Sequence, residues 1–270
     1  MIDIQVHHRR WRTVVMPTEH GSWGFILEPI LLGLLLAPGF SSLMLSIAFF
    51  TTFLLRQPLK LFWKDKQAGR HVPRTNSAIY FMILFASTMF VAGMLSLLWM
   101  SSLLFLAPIA LALPLFAVQF HYDLQSKSRN LLAELCGVLA TGAFATSLVL
   151  IEGWAWQLAF GLWLALAVKG VTAVLYIRAR LHLERGIPIN QWLVWLSHLV
   201  AILLIALAVI ANTLPTTAFF AVGLLALRAG IGFSSLRRAR QAKAIGILEM
   251  IYGFSFVLLL IYGYYLNLFI

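Results

Sequence analysis

The chain has 270 residues, is 61% hydrophobic and 11% charged, and carries 20 Lys and Arg against nine Asp and Glu, a formal net charge of +11. A soluble domain carries about 25% charged residues, so this composition excludes an ordinary soluble enzyme. The single cysteine, Cys136, lies in an apolar run; it excludes an intramolecular disulfide and reads as a small buried hydrophobe.

Residues 1–20 are polar and basic, with His7, His8, Arg9, Arg10 and Arg12. The Arg9-Arg10 pair hints at a twin-arginine export signal. The apolar region behind it contains Glu28 and Pro29 and no small-residue cleavage site, which argues against one. The segment reads as a cytosolic arm touching anionic lipid, and the adjacent histidines as solvated residues more than metal ligands.

From residue 21 to 270 apolar runs recur, each near the ~20 residues that a helix needs to cross the bilayer core. No ~10-residue alternating strands suggest a barrel. The expectation is a single all-α, polytopic transmembrane domain of about nine helices. The expected spans are 22–38, 41–62, 77–97, 101–120, 132–150, 154–176, 191–211, 216–236 and 244–266. Turns such as Pro38-Gly39, Glu152-Gly153 and Asn212-Thr213 separate them.

All Lys and Arg except Lys169 and Arg228 fall in or beside the arm, the 63–76 loop with its preceding helix end, and the loops near 121–131, 177–190 and 237–243. The positive-inside rule places these in the cytosol and the C-terminus outside. The basic excess is thus expected to serve membrane lipids, not nucleic acid. Arg237, Arg238 and Arg240 read as an orientation and headgroup signal.

Ionisable side chains within spans are costly and are functional candidates by default. Glu28, Arg56, Lys60, Glu134, Lys169, His198, Arg228 and Glu249 all fall within roughly 15 Å of the inner boundary at 1.5 Å per residue. Helical spacing groups Thr52, Arg56, Lys60 and Lys64 on one stripe. Others are Lys169, Thr172, Tyr176 and Arg180; Glu134, Gly137 and Thr141; and Arg228, Gly232 and Ser235. Pro58 cannot donate to Leu54 and predicts a kink facing the bundle. Two readings fit this layer: structural ion pairs, or a shared cavity with a positive excess that favours an anion.

No P-loop, HExxH or paired-cysteine site is present, so no metal site is expected. His20, between Glu19 and Gly21, reads either as an acid–base group or as an interfacial cap with Trp23 as a boundary anchor. His121-Tyr122-Asp123, at the end of the fourth span, faces the same side as a site residue or an ordinary turn.

Pro17-Thr18-Glu19-His20-Gly21-Ser22-Trp23-Gly24-Phe25, then Glu28-Pro29 and Leu55-Arg56-Gln57-Pro58-Leu59-Lys60, resemble the YwiC-like family of bacterial membrane proteins, a largely uncharacterised group. That resemblance implies the bacterial inner (plasma) membrane. The layout is also similar to UbiA-type intramembrane prenyltransferases, which have nine helices. Their aspartate-rich motifs follow the second and sixth helices and hold Mg²⁺ and a prenyl diphosphate. The corresponding places here, 56–74 and 178–190, hold one acid each, Asp65 and Glu184. Mg²⁺ prefers several oxygen ligands, so the expected site is cationic and holds an anion directly, as Arg does.

The expected function is binding of an anionic, lipid-like ligand such as a prenyl phosphate in an inner-leaflet cavity. Arg56, Lys60, Lys169 and Arg228 would hold the head, with Glu134 and Glu249 beside them and His20 and Glu28 as proton-transfer groups. A small-anion transporter and a non-catalytic assembly partner of a membrane complex are the alternatives. Enzymatic activity, cofactors and protein partners stay open.

Overall fold

The structure is a computed structural model and describes residues 14–16, 22–69 and 72–269. The basic arm, except 14–16, therefore lies outside the described residues, as do His20 and Arg70. Among the described residues there are nine α-helices from residue 22 onward. They are α1 (Ser22–Leu36), α2 (Phe40–Gln67), α3 (Pro73–Ser96), α4 (Leu106–Leu124), α5 (Leu131–Ile151), α6 (Trp156–Glu184), α7 (Trp192–Ile210), α8 (Thr217–Phe233) and α9 (Ala242–Tyr265). A 3₁₀ turn, Leu103–Phe105, leads into α4. Seven of the helices are long and apolar enough to cross a membrane; α1 and α8, with 15 and 17 residues, are shorter.

The helices match the expected spans closely, with one instructive difference. The expected loops 63–76 and 177–190 are largely helical. α2 runs to Gln67 and α6 to Glu184. With 28 and 29 residues they reach about 42–44 Å, well beyond a ~30 Å hydrocarbon core. Hydropathy stops where charge begins, but Arg, Leu and Glu are good helix formers and carry the helix on. α6 ends at Gly186, whose φ of +70° is a left-handed cap that glycine adopts without strain. α2 is one continuous helix through Pro58, which is buried, so the residue lacking an N–H is turned to protein.

α5 is the central element. Every residue from Gly142 to Ile151 is buried, and it packs against α1, α2, α4 and α6. Its run of Ala140, Gly142, Ala143, Ala145, Thr146 and Ser147 is small enough for neighbouring helices to approach on all sides. α3 instead shows Tyr80, Ile83, Phe90 and Val91 on its outside, the face expected toward lipid. α9 packs on α1 and α8, and α7 lies between α6 and α8.

The two ends of the bundle differ. The half holding the connections 37–39, 97–102, 152–155 and 211–216 contains the apolar core. Leu148, Ile151, Leu162, Ile205, Leu214 and Leu260 meet there with no accessible surface. Glu152 also lies at this end. Its Oε1 accepts the backbone N–H of Ser42 at 2.8 Å, which satisfies one of the orphan donors at the start of α2. The opposite half holds the connections 68–72, 125–130, 185–191 and 234–241 and nearly all the charge.

Candidate functional site

At the charged end a cavity of about 650 Å³ opens among α1, α2, α4, α5, α6 and α9. α5 contributes Glu134, Gly137, Val138 and Thr141, one face at intervals of three and four. α6 contributes Val174, Ile177, Arg178, Leu181 and His182 on the same rule, and Arg185 follows as its C-cap. Phe53 and Arg56 come from α2, Phe116 and Gln119 from α4, and Phe25 and Ile26 from α1. Arg129 and Lys243 complete the rim.

Depth and polarity run together in this lining. Phe53 lies deeper than Arg56, Phe116 deeper than Gln119, and Val138 deeper than Glu134. On α6, Val174 and Ile177 lie deeper than Arg178, His182 and Arg185. The floor is therefore apolar apart from Thr141, which lies deeper still on α5, and the mouth is basic. Five cations line the cavity, Arg56, Arg129, Arg178, Arg185 and Lys243, against one carboxylate, Glu134.

Two of those cations are held. Arg56 pairs with Asp123, a fully buried carboxylate on α4. Arg178 Nη1 donates to Glu134 Oε2 and to the carbonyl of Arg129, each at 2.8 Å. The side chains of Arg129, Arg185 and Lys243 are exposed and have no acidic partner among the described residues. The mouth thus keeps a positive excess, and nearby unpaired cations attract anions.

The other expected residues form a separate, sealed cluster. Lys169 on α6 pairs with Glu28 on α1, and both are buried. Arg228 Nη1 on α8 donates to Glu249 Oε2 on α9 at 2.6 Å. Arg228 also lies 4.3 Å from the ring centroid of Tyr176, a cation–π contact. His198 on α7 completes the cluster. Its Nδ1 lies 2.8 Å from the carbonyl of Val194, and Arg228 Nη2 lies 3.4 Å from its Nε2. A guanidinium only donates and a carbonyl only accepts, so these two contacts match an Nδ1–H ring. Room for Glu28 comes from Gly253 on α9: a Cβ there would lie 2.0 Å from Glu28 Oε1.

The structure therefore divides the expected site in two. Arg56 and Glu134 line the cavity. Glu28, Lys169, Arg228 and Glu249 do not; they pair with one another behind its wall. The two regions touch at Phe25, whose ring lines the cavity and carries Lys169 Nζ 4.9 Å from its centroid. Lys60 is half-buried outside the lining, and His20 lies outside the described residues. The expected set omits Gln119, Arg129, Arg178, His182, Arg185 and Lys243. A signal was present, because residues 174, 177, 178, 181, 182 and 185 form one helical stripe. Charge patterning past the apolar run reads first as an orientation signal.

Magnesium does not fit at the two UbiA-like positions. Asp65 accepts from Arg74 and Thr75, the latter at 2.9 Å, and Glu184 lies 2.6 Å from Arg180. Each position offers one acid, already engaged by a neighbouring side chain. Among the described residues, no three His, Cys, Asp or Glu side chains converge as a metal site.

An all-helical bundle with this many membrane-length apolar helices, and with its charge gathered at one end around a cavity, is a multi-pass membrane protein. Residues 16–149, from before α1 to near the end of α5, match the model of the YwiC-like protein family. No curated protein and no solved structure matches it.

Proposed function

We propose that the cavity binds an amphiphile with an anionic head and an apolar tail, a prenyl phosphate or an anionic membrane lipid. The observation that supports this reading is the gradient in the lining: free cations at the mouth, aromatic and aliphatic side chains at the floor. Arg129, Arg178, Arg185 and Lys243 hold the head through charge-assisted hydrogen bonds, which are about twice as strong as neutral ones. Phe53, Phe116, Val138 and Val174 receive the tail. The positive-inside rule supports a mouth on the cytosolic side with the C-terminus outside, and the family resemblance supports a bacterial inner membrane.

The buried cluster supports the bundle in this reading. Glu28, Lys169, Arg228 and Glu249 join α1, α6, α8 and α9 and leave the head group to the rim residues. The test is native mass spectrometry of the protein extracted from its membrane. An anionic amphiphile is expected to stay bound in the wild type and to be lost in Arg178→Ala/Arg185→Ala. Adducts that only mirror the bulk lipid composition, or that persist unchanged in the double variant, would overturn it.

A further inference from the structure

Two lining residues, Gln119 and Thr141, do not fit a division into basic rim and apolar floor. Gln119 is the neutral amide of the cavity, placed on α4 four residues deeper than Asp123, the partner of Arg56. Four residues are about 6 Å, one helical turn. Its carboxamide lies against α5 at Gly137: a Cβ at that position would lie 2.5 Å from Nε2 and 3.0 Å from Oε1. The absence of a side chain at 137 is what lets the amide lie there. Neither its N–H groups nor its oxygen has a side-chain or backbone partner among the described residues.

The nearest alternative polar group in the deep lining, Thr141, donates its hydroxyl proton to the carbonyl of Val138 at 3.1 Å. Gln119 thus supplies the free N–H donor one turn below the ion-paired level. A prenyl phosphate would set hydrocarbon against this amide, because its alkyl chain begins at the phosphate oxygen. An amide desolvated without a partner is costly. A ligand whose phosphate is followed by a neutral acceptor, and only then by its chains, would satisfy it.

Resting on the proposed function, we infer that Gln119 reads an ester carbonyl, and that the ligand is an acylated glycerol phosphate rather than a prenyl phosphate. The phosphate sits among the rim cations. The glycerol unit spans the turn from the Arg56 level to Gln119. An acyl ester carbonyl accepts from Gln119 Nε2, and the acyl chains occupy the floor.

The test compares three probes against the detergent-purified protein by competitive displacement of a fluorescent anionic lipid. They are dioleoyl phosphatidic acid, its diether counterpart with the same head, and farnesyl phosphate. The wild type is expected to bind the diester about tenfold more tightly than the diether, the size of one hydrogen bond made as the ligand excludes water from the amide. Farnesyl phosphate should follow the diether. Gln119→Leu should bring the diester down to the diether. Equal binding of diester and diether by the wild type, both stronger than phosphatidylcholine, would overturn this inference while leaving the anionic-amphiphile reading intact. Binding no stronger than phosphatidylcholine for all three would overturn both. The wild-type comparison requires no variant to fold.

Discussion

Lys169 on α6 and Glu28 on α1 form an ion pair with almost no exposure to solvent, 141 residues apart in sequence. A buried pair owes its place to both charges being present. Removing one leaves the other uncompensated, at a cost of about 3–5 kcal/mol, whereas replacing both with apolar groups is often neutral. Lys169→Ala and Glu28→Ala are each expected to lower the thermal unfolding temperature sharply in detergent. Lys169→Met/Glu28→Leu should recover most of the loss. A double variant as unstable as the sum of the singles would show that the pair is not the unit of stability.

Gly253 provides the space for that carboxylate. Gly253→Ala would force Glu28 off Lys169, since the new Cβ would lie 2.0 Å from Oε1, and overpacking of this kind costs about 1–3 kcal/mol. Gly223 on α8 is the control, with nothing within 4 Å of an added Cβ. Gly223→Ala should be neutral or stabilising, by up to about 1 kcal/mol from helix propensity. The comparison is read from unfolding of both variants. Equal effects would refute the cradle.

Glu134 restrains Arg178 at the cavity mouth. Glu134→Gln removes the carboxylate charge and should raise affinity for phosphatidic acid by about threefold, because a half-exposed pair is worth about 1 kcal/mol or less. The gain should shrink as salt rises, since exposed charges are screened within about 10 Å at 0.1 M. Arg178→Gln should shift affinity in the opposite sense. Lipid competition at two salt concentrations reads both, and a Glu134→Gln variant that binds less tightly would contradict the assignment of the rim.

At the far end, Glu152 caps α2 through the Ser42 N–H. Losing a cap of this kind costs about 0.5–2 kcal/mol. Glu152→Ala should therefore lower stability without changing lipid binding. Glu152→Gln, which keeps a carbonyl acceptor, should lose less. Chemical unfolding monitored by tryptophan fluorescence separates the two.

Much of the fold was legible in the chain. Burying an apolar side chain in lipid, or excluding a charged one from it, is a local and nearly additive free energy. The nine helices, the charged end and the apolar end therefore follow from composition along the chain. Two of the four stripes held: Lys169, Thr172, Tyr176 and Arg180 are all buried, and Glu134, Gly137 and Thr141 all line the cavity; Ser235 is exposed beyond the end of α8, and Lys60 lies outside the lining. The ends of α2 and α6 were not legible, because helix propensity continues after hydropathy stops.

The four cations within the spans show where the chain alone runs out. By depth, Arg56, Lys60, Lys169 and Arg228 are equivalent, and sequence spacing gives each of them an inward face. Packing then separates them. Arg56 is set against Asp123 beside the cavity, Lys169 and Arg228 are sealed with carboxylates behind Phe25, and Lys60 lies outside the lining. That charges of both signs gather in one half of the bundle follows from the chain alone, since it depends on each segment's own transfer energy. Which charge meets which, and which cations stay free at the mouth, follows from packing, because it depends on how helices far apart in sequence rotate and pack against α5.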